Sequence, residues 1–216
     1  MKLEALSPSS THELVKRQQA LLLDVRPPVA FARGHAAGSL SVPFSPRGLA
    51  LRVGVVLPSS LPAVLVASDE PTAIAAAVQL AEADIALRGF LAGGLEAWRA
   101  AGLAEAAVGE VEVDGLARLS GDTTLIDVRE PLEWMTGHVP GALLVPLGAL
   151  REALPSLPRG VSLITICEAG IRSCTAASIL AAAGFAEVAH VPAGTGGYRR
   201  AGLPLAFPTP DEATVR

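Results

Sequence analysis

The chain is written twice. Leu22-Leu23-Asp24-Val25-Arg26-Pro27 reads like Leu125-Ile126-Asp127-Val128-Arg129-Glu130, 103 positions later. At the same offset Gly34-His35 matches Gly137-His138, Gly38 matches Gly141, and Val42-Pro43 matches Val145-Pro146. Further along the offset becomes 100, where Trp98-Arg99-Ala100-Ala101-Gly102-Leu103 matches Tyr198-Arg199-Arg200-Ala201-Gly202-Leu203. The drift falls mid-repeat, where loops absorb insertions at small entropic cost. A period of this size means two homologous domains rather than a solenoid of short repeats. The expected boundaries are 1–104 and 105–216, with a junction near Ala104 to Glu112.

Each half alternates β-type runs with helical patterns. In the second, Thr124 to Val128, Val161 to Ile166 and Glu187 to Val191 are short apolar runs that fit buried parallel strands. Leu147 to Leu154 and Arg172 to Ala183 carry helix formers and stop at Pro or Gly. This alternation predicts α/β domains, each with a mainly parallel central sheet flanked by helices. Sites in such sheets form beyond the carboxyl ends of the strands.

Composition removes several function classes. Seventeen basic residues against 21 acidic give a net charge of −4, so no surplus of cations marks a nucleic-acid surface. Two cysteines cannot make a disulfide framework, and no His or Cys pair has zinc-finger spacing, so no metal is expected. The N-terminal stretch lacks an apolar signal-peptide core, and no charge-free run is long enough to span a bilayer. These features predict a cytoplasmic protein with reduced thiols, no nucleic-acid partner and no membrane partner.

The chemistry gathers in Leu163-Ile164-Thr165-Ile166-Cys167-Glu168-Ala169-Gly170-Ile171-Arg172-Ser173-Cys174. A strand delivers Cys167 to its carboxyl end, a loop with Gly170 follows, and a helix is expected to start near Arg172. Such a turn aims backbone N–H groups and the positive end of a helix at the sulfur, which favours the nucleophilic thiolate. Gly170 lets the loop curl without a Cβ clash. Arg172 offers a guanidinium to an anionic group. A cysteine at a strand end also serves as a small apolar filler, and the loop and arginine favour chemistry over that role.

The loop Cys-Glu-Ala-Gly-Ile-Arg-Ser resembles the rhodanese (sulfurtransferase) family. So do the upstream Ile-Asp-Val-Arg-Glu, the following Gly-His-Val-Pro-Gly-Ala, and the Tyr-Arg-Arg-Ala-Gly-Leu-Pro near the end. The resemblance runs from Thr124 to Pro204. It implies that Cys167 accepts a sulfane sulfur as a persulfide, that the amides of Glu168, Ala169, Gly170, Ile171, Arg172 and Ser173 cradle it, and that Arg172 closes the loop. Asp127 and Arg129 end a strand close to the site, where they either fix its loops as a charged pair or, as expected from Asp24 and Arg26 in the other half, form a salt bridge that organises the fold. The expected reaction moves sulfur from a small-molecule donor (thiosulfate or a persulfide) to a thiol, cyanide or protein cysteine, without cofactor.

The first half resembles the same family but lacks the loop. Ala67 stands where Cys167 does, and Thr72 where Arg172 does. A methyl group cannot carry a persulfide, and Ser68, one position off, has no evident base beside it. The first domain is therefore expected to be a non-catalytic partner. Phosphatases and arsenate reductases on this fold place one residue more between Cys and Arg than the four here, Glu168 to Ile171. The alternative from another class is a binding or redox-sensing module. Glu168 is expected to oppose a dianionic donor and so to disfavour thiosulfate. Cys174 is expected about two turns into the following helix, as a core residue in preference to a resolving thiol that would attack a Cys167 persulfide. His35 and His138 match across the halves and read as structural. Trp134 is left between pocket wall and core filler. His12 and His190 carry no signal.

Overall fold

The computed structural model describes residues 3–57, 61–119 and 121–208. They divide into two compact units, Met1–Ala107 and Val108–Arg216. The boundary lies three residues beyond the expected 104/105. Glu105 and Ala106 pair antiparallel with Ala36 and His35, and so belong to the first unit.

In the first unit a parallel sheet has the order β1-β6-β5-β2-β4. Its strands are β1 (Ala5–Leu6), β2 (Leu21–Asp24), β4 (Leu40–Ser41), β5 (Ala63–Val66) and β6 (Leu87–Leu91), while β3 (His35–Ala36) and β7 (Glu105–Ala106) form the small antiparallel pair. Helices α1 (Pro8–Lys16), α2 (Pro28–Arg33), α3 (Leu49–Val56), α4 (Glu70–Ala81) and α5 (Gly94–Ala100) connect them. All four residues of β5 are buried, as a central parallel strand covered on both faces requires. Helix α4 shows why these residues coil. Asp69 accepts the Thr72 amide at 2.7 Å as N-cap, Pro71 fits the first turn, and Ala73, Ala76, Ala77 and Leu80 make one buried stripe.

The second unit repeats this order with β8 (Gly109–Glu110), β9 (Thr123–Asp127), β10 (Leu143–Leu144), β11 (Ser162–Ile166) and β12 (Val188–His190), arranged β10-β9-β11-β12-β8, all parallel. Its helices are α6 (Pro131–Trp134), α7 (Leu150–Ala153), α8 (Ile171–Ala182) and α9 (Gly194–Arg200). The expected strands and the helix from Arg172 are present, each shifted by a residue or so. Leu147 to Leu154 is not one helix. It is a 3-10 turn at Leu147–Ala149, the single turn α7, and a second 3-10 turn at Leu154–Ser156. Pro155, which has no amide hydrogen to donate, keeps the run from lengthening. The fold is α/β, with two parallel five-stranded sheets flanked by helices. Among the described residues no helix is long and apolar enough to cross a membrane.

The matched histidines are architectural. His35 bridges Ala106 and stacks on Phe31 at 3.8 Å. His138 bridges Ala206 and stacks on Trp134 at 3.4 Å, which gives Trp134 its place.

Candidate active site

Cys167 directly follows β11 and is 2% exposed. Gly170 caps α8 with φ +84°, and a Cβ there would lie 2.1 Å from the Pro192 carbonyl oxygen. Only glycine fits so tight a turn. The loop carbonyls are drawn away from the sulfur by the start of α9. Thr195 N–H donates to Cys167 O at 2.7 Å, and Gly196 N–H donates to Glu168 O at 3.0 Å. Gly194 permits this approach, since a Cβ on it would sit 2.4 Å from Cys167 O.

With its carbonyls occupied behind, the loop turns toward Sγ. The Ser173 amide donates to Cys167 Sγ at 3.3 Å, and the Ser173 hydroxyl oxygen lies 3.6 Å from the sulfur. Of the expected cradle from Glu168 to Ser173, Ser173 is the residue whose amide reaches the sulfur in this structure. Ala169 and Ile171 are exposed, on the outer side of the loop.

Arg172 does not reach freely into the site. Its Nη1 and Nη2 donate to Glu133 Oε2 and Oε1, both at 2.6 Å. This bidentate bond holds the Glu133 carboxyl down at about 2, despite partial burial that pushes it up, and raises Arg172 in return. Glu133 is oriented by its own helix, because the Glu130 amide donates to Oε2 at 3.1 Å in a reciprocal capping box.

Arg129 is wholly buried. It donates to Asp127 (Nη2 to Oδ2, 2.7 Å), to the Gly137 carbonyl at 3.0 Å and to the Glu133 carbonyl at 3.3 Å, and its Nη1 lies 3.8 Å from Glu168 Oε2. Asp24 and Arg26 make the same clamp in the first unit, with Gly34 accepting at 2.9 Å. The clamp ties a strand end to the turn after the next helix in both copies. Glu168, expected to oppose an anion, is paired with Arg199 as well as facing Arg129.

Two positions differ from the expectation. Cys174 lies in the first turn of α8, not two turns in, because the helix begins at Ile171; it is fully buried. His190, which carried no signal, is 1% exposed with Nδ1 3.4 Å from the Ser173 hydroxyl oxygen. Comparing the halves at offset 100 would have found it, since Phe90 stands at its place. In the first unit, Ala67, Ser68, Asp69, Glu70 and Arg26 line a pocket of about 570 Å³ at the matching end of the sheet.

A parallel sheet that presents a buried thiol at a strand end, wrapped by a tight loop into a helix, defines a class of α/β domains organised around a loop cysteine. Residues 7–101 and 112–201 both match the model of the rhodanese-like domain. The chain belongs to the rhodanese-like family, with two domains in tandem. It is 29% identical over 104 residues to a sulfurtransferase of Allochromatium vinosum, covering 47% of this chain and 97% of that protein. It is 38% identical over 72 residues to the probable adenylyltransferase/sulfurtransferase MoeZ of Mycobacterium tuberculosis, covering 32% of this chain and 18% of the relative. A rhodanese-related protein of Thermoplasma volcanium superposes with a TM-score of 0.44 at 27% identity, covering 46% of this chain and 99% of that one.

Proposed function

We propose that the second unit is a sulfurtransferase that carries sulfane sulfur on Cys167. The observation that carries this reading is the Ser173 amide on Cys167 Sγ, at the mouth of a loop that leads into α8. An N–H aimed at sulfur favours the thiolate and, later, the outer sulfur of a persulfide anion. The Cys167 thiolate attacks the outer sulfur of R–S–SH. The new S–S bond forms as the old one breaks, and R–S⁻ leaves. A thiol or cyanide acceptor then attacks the outer sulfur of Cys167–S–SH and regenerates the thiolate. No step calls for a metal or an organic cofactor.

The charges around the site favour a persulfide of low charge over thiosulfate. Arg172 is matched by Glu133, Arg199 by Glu168 and Arg129 by Asp127, so these three arginines are already paired and bring no uncommitted charge to a dianion. A small-molecule or protein persulfide is the donor that fits. Its thiol chemistry suits a reducing, cytoplasmic compartment. The first unit, with Ala67 in place of the thiol, is read as non-catalytic.

Intact-protein mass spectrometry after exposure to a persulfide donor tests the reading. The wild type should gain one sulfur, about 32 Da, that cyanide removes. Cys167→Ser should gain none and Cys174→Ser should gain it normally. A wild type that gains nothing refutes sulfur transfer.

A further inference from the structure

The Ser173 hydroxyl stands among three groups. It lies 3.0 Å from Gly170 O, 3.4 Å from His190 Nδ1 and 3.6 Å from Cys167 Sγ. His190 sits on β12, and its far nitrogen, Nε2, lies 3.7 Å from Glu110 Oε1 on the neighbouring strand β8. Sulfur, hydroxyl, imidazole and carboxylate therefore form one line through the sheet, from the loop to its edge.

The repeat shows what this line is for. At offset 100, Cys167, Ser173 and His190 correspond to Ala67, Ala73 and Phe90, and the strand partner of Phe90 is Ala5 where that of His190 is Glu110. All four groups are present in the unit with the thiol, and none of them stands at the matching position of the other unit. The Asp–Arg clamp and the stacked histidines, by contrast, occur in both. The sheet accepts Phe at the His190 position, so building the fold does not require an imidazole there.

Resting on the sulfurtransferase reading, we propose that His190 is a positioning residue that draws the Cys167 proton away through the Ser173 hydroxyl. The Cys167 S–H donates to Ser173 Oγ. The hydroxyl proton turns from Gly170 O to His190 Nδ1, and as it passes to nitrogen the thiol proton passes to oxygen. A neutral thiol and imidazole become a thiolate and an imidazolium with no change of total charge. The imidazolium then directs its Nε2–H at Glu110. Burial lowers the His190 pKa, against the opposing pull of Glu110, so the resting ring is neutral near pH 7. The titratable groups facing it are Glu110 from β8 and, across Ser173 on α8, Cys167 beyond β11. Its partner on β11, Thr165, is uncharged and donates to Ser173 O at 2.8 Å.

The test is the rate at which iodoacetamide alkylates Cys167 across pH, located by peptide mass spectrometry in the full chain. His190→Phe, the residue of the first unit, should slow alkylation about tenfold near pH 7, and Ser173→Ala should do the same. The double variant should be no slower than the slower single one, because both act along one path. Above about pH 10, where a thiol ionises unaided, His190→Phe should converge on the wild type. His190→Asn offers Ser173 a hydrogen-bond partner that takes no proton, and should be as slow as His190→Phe. Wild-type rates in His190→Asn, or full multiplicativity in the double variant, overturn the proposal. Alkylation does not depend on sulfur transfer. A relay in a chain that gains no sulfur mass refutes the enzyme reading alone, and the opposite pair of results refutes the relay alone.

Discussion

Glu133 shows how one residue can set both stability and donor choice. Its carboxyl is held at about 2 by Arg172, against an ordinary value of 4.5. A depressed carboxylate adds stability that is fully present above its unfolded value and fades as pH falls through the folded one. The difference in melting temperature between wild type and Glu133→Gln should therefore be constant above about pH 5 and shrink toward zero by about pH 2. Thermal unfolding at a series of pH values measures it, and a difference unchanged at pH 2 would contradict the pairing. Glu168 makes the complementary case. Arg199→Ala should leave its charge less compensated at the loop and raise the KM for thiosulfate several-fold, with a smaller effect on a persulfide donor of lower charge. Steady-state kinetics with both donors reads the contrast, and equal effects would mean that Arg199 only braces the loop. The carboxylates themselves were visible in the sequence. Their partners were not, because Glu133 and Arg172 lie 39 positions apart and Glu168 and Arg199 lie 31 apart.

The loop between β11 and α8 is where backbone geometry governs the chemistry. Gly170 and Gly184 both have positive φ, +84° and +82°, yet their surroundings differ. A Cβ on Gly170 meets the Pro192 carbonyl at 2.1 Å, whereas one on Gly184 meets nothing within 4 Å. Gly184→Ala should cost about 1 kcal/mol from the left-handed backbone alone. Gly170→Ala should cost well beyond that and should also abolish the sulfur adduct, because the loop must lift off the Pro192 carbonyl. Denaturant unfolding of the two variants separates the terms, and equal losses would show that the loop can relax. The strand–loop–helix order was legible because β11 is a short apolar run and Gly170 breaks it where a turn is needed. Less legible was the stretch from Leu147, where helix formers gave only single turns beside Pro155. Propensity cannot hold a helix that short without a packed face. The role of α9 was equally hidden, since its amides hold the loop carbonyls of Cys167 and Glu168 from across the fold.

Two copies of one sheet order, one with a thiol and one without, make the molecule its own control. Whatever both units keep serves the fold: the Asp–Arg clamp, the stacked histidine and the parallel strand order. What the first unit lacks is more than a cysteine. Asp69 there caps α4 by accepting the Thr72 amide at 2.7 Å, so a carboxylate occupies the helix terminus that in the second unit is directed at Cys167 Sγ through the Ser173 amide. That bond holds the Asp69 carboxyl below its ordinary value and keeps it charged. A thiol placed at position 67 would meet this negative charge and find Ala73 in place of the Ser173 hydroxyl. Ala67→Cys in a Cys167→Ser background should therefore gain no sulfur mass from a persulfide donor and should alkylate no faster than an ordinary exposed cysteine. Intact mass and alkylation rate give the answer. A stable sulfur adduct at position 67 would mean that the loop backbone suffices, and that neither a helix terminus without a carboxylate cap nor the Ser173–His190 line is needed to hold sulfur. The expected failure instead locates the function in the whole set of groups behind the thiol, which the second unit alone carries.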